Sequence, residues 1–362
     1  MYIQKLSLTQ FKNHSKSVFE FCDGLNCFFG KNGAGKTNVL DSLHYVCSGK
    51  SYFSRIDFNS IQFDASFALV EAEIAKKSNQ IKVSIGLQAN GKKGLKKDGA
   101  VVKRLADYVG FLPAVMITPG DISMLTGNSE ERRKFMDKAI GYSDRPYLKA
   151  LIKHNKLLDN RNELLKQFYL QQNQDLLALE AIDAQFIPLI NEIHAKRKAF
   201  LEDIIEPLTQ VYIALVNKEE TLTIQLDSHL DEMPAEAMLK MSLNQDLMAQ
   251  RTTAGIHKDD IDVLINEVSV KKFGSQGQIK SATIAMHLAS FLYMKSILNR
   301  KPLLLLDDIF EKIDDLRSTR LLELISGEDF GQIFITDTSE SRLKLKLKEV
   351  ATEKKFFNIE ST

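Results

Sequence analysis

The stretch Gly30-Lys31-Asn32-Gly33-Ala34-Gly35-Lys36-Thr37 fits G-x-x-x-x-G-K-[ST], the pattern of a phosphate-cradling loop. The apolar run Leu25-Asn26-Cys27-Phe28-Phe29 ahead of it reads as a buried strand. Behind it, Val39, Leu40, Leu43 and Val46 recur at helical spacing, so strand, loop and helix follow in the order this chemistry needs. Glycines let backbone N–H groups turn inward on phosphates, and the start of the helix adds partial positive charge. In such a loop Lys36 reaches the β- and γ-phosphates and Thr37 holds Mg²⁺. A glycine-rich turn that binds nothing would leave this Lys-Thr pair at a helix start without a reason.

At 362 residues the chain has room for two domains, or for one large domain carrying an insertion. Its apolar and charged fractions, 44% and 26%, are those of an ordinary globular protein. Net charge is only +1, so any nucleic-acid binding has to use a local basic surface and not a bulk field. Cys22, Cys27 and Cys47 are odd in number and lack Cys-x-x-Cys spacing, which fits a reducing cytosol and not a disulfide framework or a zinc site. The first eight residues alternate apolar and polar, as a strand does and a signal peptide does not. The longest apolar helical stretch, 282–298, is interrupted by His287 and Lys295, which argues against a membrane span. The expectation is a soluble, cytoplasmic protein.

From residue 1 to about 120 the pattern is mostly strands and turns, with 65–75 and 80–89 as a hairpin around Lys76-Lys77-Ser78-Asn79. The segment 90–99 is basic and punctuated by glycine. Its Lys92, Lys93, Lys96 and Lys97 are either a solvated hairpin tip or a contact to a nucleic-acid backbone. A buried strand is expected at 112–117. Residues 130–216 contain one glycine, Gly141, and read as helices: leucines at helical spacing over 148–165, a run at 176–190, and another at 193–215 kinked at Pro207. Their apolar stripes are too short and irregular for a long coiled coil, so a compact helical insertion is expected. After Arg251 the α/β pattern returns, with buried strands at 302–306 and 332–336. Three segments result: 1–128 and 252–362 as two parts of one α/β domain, and 129–251 as a mainly helical lobe between them.

The run Leu303-Leu304-Leu305-Leu306 ends in Asp307-Asp308. A central parallel strand ending in carboxylates beside a phosphate loop places one acid on Mg²⁺, here Asp307, and one near the attacking water, here Asp308. Ser275-Gln276-Gly277-Gln278 opens the long helix near 277, and Ser and Gly at a helix start make a second anion site. A nucleotide seated on the first loop has one exposed end. The second site therefore serves another copy's nucleotide, and two copies sandwich two ATPs in a symmetric dimer.

Phosphate loop, distant Ser-x-Gly-x helix and double-Asp strand in this order resemble the ATP-binding-cassette head shared with SMC proteins. Further stretches are similar to the RecF family: Phe11-Lys12-Asn13-His14, Lys36-Thr37-Asn38, Thr118-Pro119-Gly120-Asp121, Arg132-Arg133-Lys134-Phe135-Met136-Asp137, 251–260 and 307–314. The resemblance implies an α/β P-loop ATPase head of the ABC (SMC-like) type with an inserted helical lobe. It adds Lys12, Asn13 and Asn38 to the nucleotide-binding residues, and Asp121 to Thr37 and Asp307 as a further metal-site candidate. It implies ATP and Mg²⁺ as cofactors, an ATP-dependent homodimer, and binding to duplex DNA and single-strand gaps. It also implies loading of RecA together with RecO and RecR, with links to replication-fork maintenance and the SOS response. From the residues alone, Arg132 and Arg133 are either a solvated helix face or further candidate DNA contacts beside the four lysines.

The chain departs from the family at Ile256, where proline is usual, and at Ile279-Lys280, where a more polar pair follows the signature. Asp308 replaces the glutamate of transporter cassettes, and Thr336-Asp337-Thr338 stands where those have histidine. A shorter acid without the histidine suits a slow ATPase that works as a switch. Two other classes fit the loop alone. An ABC or SMC-type subunit of another DNA or transport complex would show long heptads or a full catalytic set. A small-molecule kinase would need a lid and an acceptor pocket and would have no use for Ser275.

Overall fold

Four consecutive leucines with no polar alternation suit a strand covered on both faces, which means the centre of a parallel sheet. In the computed structural model, which describes residues 1–76, 79–171, 175–216, 220–311 and 313–360, that is where Leu303–Leu306 lies. The five-stranded sheet runs Lys354–Asn358, Leu25–Phe29, Ile333–Asp337, Leu303–Leu306, Ala114–Ile117, and every pairing is parallel. The strand that feeds the glycine loop and the strand that ends in the aspartates are therefore separated by one strand, Ile333–Asp337. Residues 77 and 78 of the expected hairpin turn, and Lys312 of the motif at 307–314, lie outside the described residues.

A second sheet has six antiparallel strands in the order His14–Glu20, Tyr2–Phe11, Phe67–Lys76, Asn79–Gln88, Lys93–Lys97, Ala100–Val101. One face alternates into the core through Leu6, Leu8, Val70, Ala72, Val83 and Ile85. There it meets Val39, Leu40, Leu43 and Val46 of the helix Lys36–Ser48, which is sandwiched between the sheets by that apolar stripe. The basic stretch at 90–99 belongs to this sheet: 93–97 is a paired strand.

Contacts divide the chain into two compact units. One comprises Met1–Asp121, Gln210–Glu219 and Lys280–Thr362; the other comprises Ile122–Thr209 and Glu220–Ile279. The second unit carries the helices Ser129–Ser143, Arg145–Gln171 and Ala235–Ala249, most of Leu176–Val216, and a three-stranded sheet ordered Val268–Ser269, Asp260–Ile265, Leu222–Asp227. Residues 252–279 fall with the helices in this division because Asp260–Ile265 pairs antiparallel with Leu222–Asp227.

One expectation is corrected. The runs at 176–190 and 193–215 form a single helix of 41 residues, Leu176–Val216, with Pro188 and Pro207 inside it. Phe186, Ile190, Ile193, Phe200, Ile204, Leu208, Val211 and Leu215 continue one buried stripe past both prolines. Each proline forgoes one backbone hydrogen bond, and burial of that stripe outweighs the loss.

Candidate nucleotide site

The strand Leu25–Phe29 delivers Gly30, where the backbone turns at φ +151°; a Cβ there would lie 2.2 Å from the Ile359 carbonyl oxygen. The helix Lys36–Ser48 opens on Gly35, which supplies no capping side chain, and its first turn holds no acid. Its leading N–H groups are therefore aimed at no side chain of their own helix start, which is the condition an anion meets. Lys36 is buried to 4% exposure, and its ammonium donates to the carbonyls of Gly30 (2.8 Å) and Lys31 (3.1 Å), curling the loop around it.

The loop is pinned from behind by the turn that follows the first strand. Asn13 donates to the Ala34 carbonyl (3.0 Å) and accepts from Asn38 (2.7 Å). His14 is buried, which pushes its pKa down against the hydrogen bond to the Gly35 backbone and disfavours the charged ring. Its Nε2 faces the Gly35 carbonyl at 3.1 Å, and a carbonyl only accepts, so Nε2 carries the proton and Nδ1 accepts from Ser17 Oγ (3.0 Å). Lys12 pairs at 2.6 Å with Asp41, a helix residue that also accepts from Ser51 Oγ and the Tyr52 N–H. His14 lies within the stretch Phe11-Lys12-Asn13-His14, but neither it nor Asp41 has a role at the site legible in the sequence, because neither spacing nor composition marks a residue that supports a loop from beneath.

On the other side of the loop, Thr37 Oγ1 lies 2.9 and 3.0 Å from the two carboxylate oxygens of Asp307. Burial raises the Asp307 pKa, against the hydrogen bonds from Thr336 and Thr37. Asp308 follows with φ +44°, a left-handed backbone that aspartate tolerates better than most residues. The side chains of Thr37 and Asp307 fit a magnesium-bound nucleotide: a hydroxyl and a carboxylate meet at the mouth of an anion-seeking loop, and phosphate oxygens and water complete such a coordination shell. Among the described residues no group of three or more His, Cys, Asp or Glu is gathered that could hold a metal ion by itself.

Asp121 accepts from Tyr52 Oη (2.6 Å) and from the Thr118 N–H (2.6 Å). Its two oxygens thus tie the segment after the nucleotide helix to the end of the strand Ala114–Ile117. In the second unit, Ser275 and Gln278 cap the helix Gln276–Leu298 reciprocally: Ser275 Oγ accepts from the Gln278 N–H (3.2 Å) and Gln278 Oε1 accepts from the Ser275 N–H (3.0 Å). An oxygen used this way still has its own O–H to donate. Gln276 and Gly277 form the first turn.

The expected DNA contacts separate. Lys92 and Lys96 are exposed. Lys93 is held by Asp57 at 3.0 Å over the ring of Tyr45, and the Lys97 ammonium sits 4.0 Å over the ring of Phe111. Arg132 is 1% exposed and is corrected as a DNA contact. Its guanidinium is bidentate on Asp260 (2.5 and 2.9 Å) and donates to the carbonyls of Met124 and Gly127, so it holds its own unit together. Arg133 donates to the Asp259 carbonyl at 2.6 Å. Cys22, Cys27 and Cys47 are buried free thiols, and no helix among the described residues is long and apolar enough to cross a membrane.

Comparison with known proteins agrees with this geometry. The family model described as RecF/RecN/SMC N terminal domain matches residues 2–355. The chain is 39% identical over 359 residues to the DNA replication and repair protein RecF of Flavobacterium johnsoniae, covering 99% of this chain and all of that one. The solved structure of the recombination mediator protein RecF with ATP, of the RecFOR pathway, superposes with a TM-score of 0.88 at 28% identity, covering 99% of this chain and 96% of that one. The Smc head domain of Pyrococcus furiosus matches at a TM-score of 0.59 and 17% identity, a likeness of fold. With an ABC-type ATPase head and a family match along nearly its whole length, this chain belongs to the RecF family of DNA replication and repair proteins.

Proposed function

We propose that the chain is an ATP-controlled DNA-binding protein of recombinational repair and replication maintenance, acting as a dimer that ATP closes. The observation that carries this reading is the hydrogen bond from Thr37 to Asp307, which joins two residues 270 positions apart at the mouth of the glycine loop. Lys36 and the amides of residues 30–38, with Lys12 and Asn13 beside them, hold the phosphates. Thr37 and Asp307, with Asp121 as a further candidate, hold Mg²⁺. The ion, when bound, neutralises charge on the β- and γ-phosphate oxygens. Asp308 orients the attacking water, and its short side chain favours slow hydrolysis, so that ATP works as a switch.

Ser275 and Gly277 of a second copy close over the γ-phosphate with a hydroxyl proton and backbone amides. The closed dimer binds duplex DNA at single-strand gaps through basic residues, with exposed Lys92 and Lys96 as candidates. It then promotes RecA loading with RecO and RecR in the cytoplasm, as resemblance to the RecF family supports.

Sedimentation with and without ATP tests the sandwich. Ser275→Arg places a bulky cation at the shared face and is expected to abolish ATP-dependent dimerisation while ATP affinity stays within about twofold. Lys36→Met is expected to lose nucleotide binding and dimerisation together. A dimer fraction in Ser275→Arg equal to the wild type would sink the sandwich.

A further inference from the structure

Thr336 is fully buried at the C-terminal end of Ile333–Asp337, the strand lying between the one that feeds the glycine loop and the one that ends in the aspartates. Its position on that strand puts one hydroxyl beside both acids. Thr336 Oγ1 accepts from the Asp308 N–H (2.9 Å) and lies 2.8 Å from Asp307 Oδ1. Asp308 Oδ1 is further off, at 3.4 Å. A hydroxyl has one proton and a carboxylate only accepts, so the proton is donated to Asp307.

Two features of the site depend on these bonds. Asp307 must turn its carboxylate toward Thr37, and Oδ1 is held there by two hydroxyls, those of Thr37 and Thr336. Asp308 must keep a left-handed backbone at φ +44°, which most side chains disfavour and aspartate tolerates at some cost, and its N–H donates to Thr336. Removing the Thr336 oxygen would take away the hydrogen bond that the Asp308 N–H donates to it and release one side of the Asp307 carboxylate together.

We propose that Thr336 is a positioning residue for Mg-ATP hydrolysis, setting the metal-binding carboxylate of Asp307 and the backbone of Asp308 with a single hydroxyl. It acts through the aspartates and not on the nucleotide itself. The inference rests on the ATP reading above, and it assigns a task to a threonine of this chain's own strand end, Ile333–Asp337.

The test compares Thr336→Val, which keeps the shape and loses the oxygen, with Thr336→Ser, which keeps the oxygen. Binding of a fluorescent ATP analogue is titrated with and without Mg²⁺, and steady-state ATP hydrolysis is measured alongside. Thr336→Val is expected to raise the Mg²⁺ concentration for half-maximal binding several-fold and to lower kcat about tenfold, the size of one lost buried hydrogen bond to a charged group. Its metal-free nucleotide affinity should stay within about twofold, and Thr336→Ser should restore both quantities. Wild-type Mg²⁺ dependence and kcat in Thr336→Val would overturn the inference while leaving the ATP reading intact, as would a Thr336→Ser variant as impaired as the valine. A wild-type protein that binds no nucleotide would overturn both readings. A Thr336→Val chain that fails to fold beside a Thr336→Ser chain with wild-type kinetics would reduce the role to packing and overturn the inference.

Discussion

At Gly35 two constraints meet. The backbone sits at φ +109°, a conformation that side chains disfavour, and a Cβ there would lie 2.5–2.9 Å from the Asn13 amide that pins the loop. Gly35→Ala is therefore expected to cost about 1–3 kcal/mol in chemical denaturation and to weaken ATP binding more than tenfold. Wild-type ATP affinity in that variant would show that Asn13 gives way freely. A second residue-scale prediction concerns His154 and His257 of the helical unit. Burial pushes both pKa values down from 6.5 to about 4, so each is neutral when folded. As pH falls below 6.5 the unfolded chain takes up these protons first. Stability is thus full above about 6.5 and lost as pH falls toward 4. The loss at pH 5 is about 2 kcal/mol per histidine. His154 stacks on Phe186 at 4.7 Å, so His154→Phe keeps an aromatic ring there and should flatten the pH dependence of urea stability between pH 7 and 5. An unchanged slope would refute the neutral assignment.

At the scale of elements, buried arginines hold the segment 251–260 to the helices of its own unit. Arg197, on Leu176–Val216, bonds the Ile256 carbonyl (2.7 Å), Asp259 (2.7 Å) and Asp137 (2.9 Å); Arg161, on Arg145–Gln171, bonds Asp246 (2.6 Å), Asp183 (2.8 Å) and Thr252 (3.0 Å). Removing one partner strands buried charges, so Arg197→Met should cost about 3–5 kcal/mol by urea denaturation. Lys134 pairs on the surface with Glu130 and Glu131, and Lys134→Ala should stay within about 0.5 kcal/mol. Equal losses would mean that burial does not decide the strength of these pairs. Helical periodicity was legible in the sequence here, as in the leucines over 148–165 that fall on Arg145–Gln171. The single long helix was not, since Pro188 and Pro207 look like breaks unless the buried stripe that spans them is seen.

For the whole molecule, net charge of +1 means that no bulk field draws DNA, and affinity has to come from a local basic surface. If closing two copies brings two such surfaces together, ATP should raise affinity for a gapped duplex at least tenfold by fluorescence anisotropy, and Ser275→Arg should lose that gain while keeping ATP binding. An ATP-independent affinity would separate DNA binding from the dimer. By itself the sequence determined the phosphate loop, the aspartate-ended strand, the capped helix at Ser275 and the α/β chain interrupted by helices. Each of these is written in neighbouring residues, through periodicity and turn chemistry. Only the tertiary structure decided that Arg132 is a buried tie and not a DNA contact, and that His14 supports the glycine loop. It also decided that Thr336 stands between Asp307 and Asp308. Those outcomes depend on which strands become neighbours and where a side chain ends, and residues 21, 28 or 128 positions apart carry no local pattern that says they will meet.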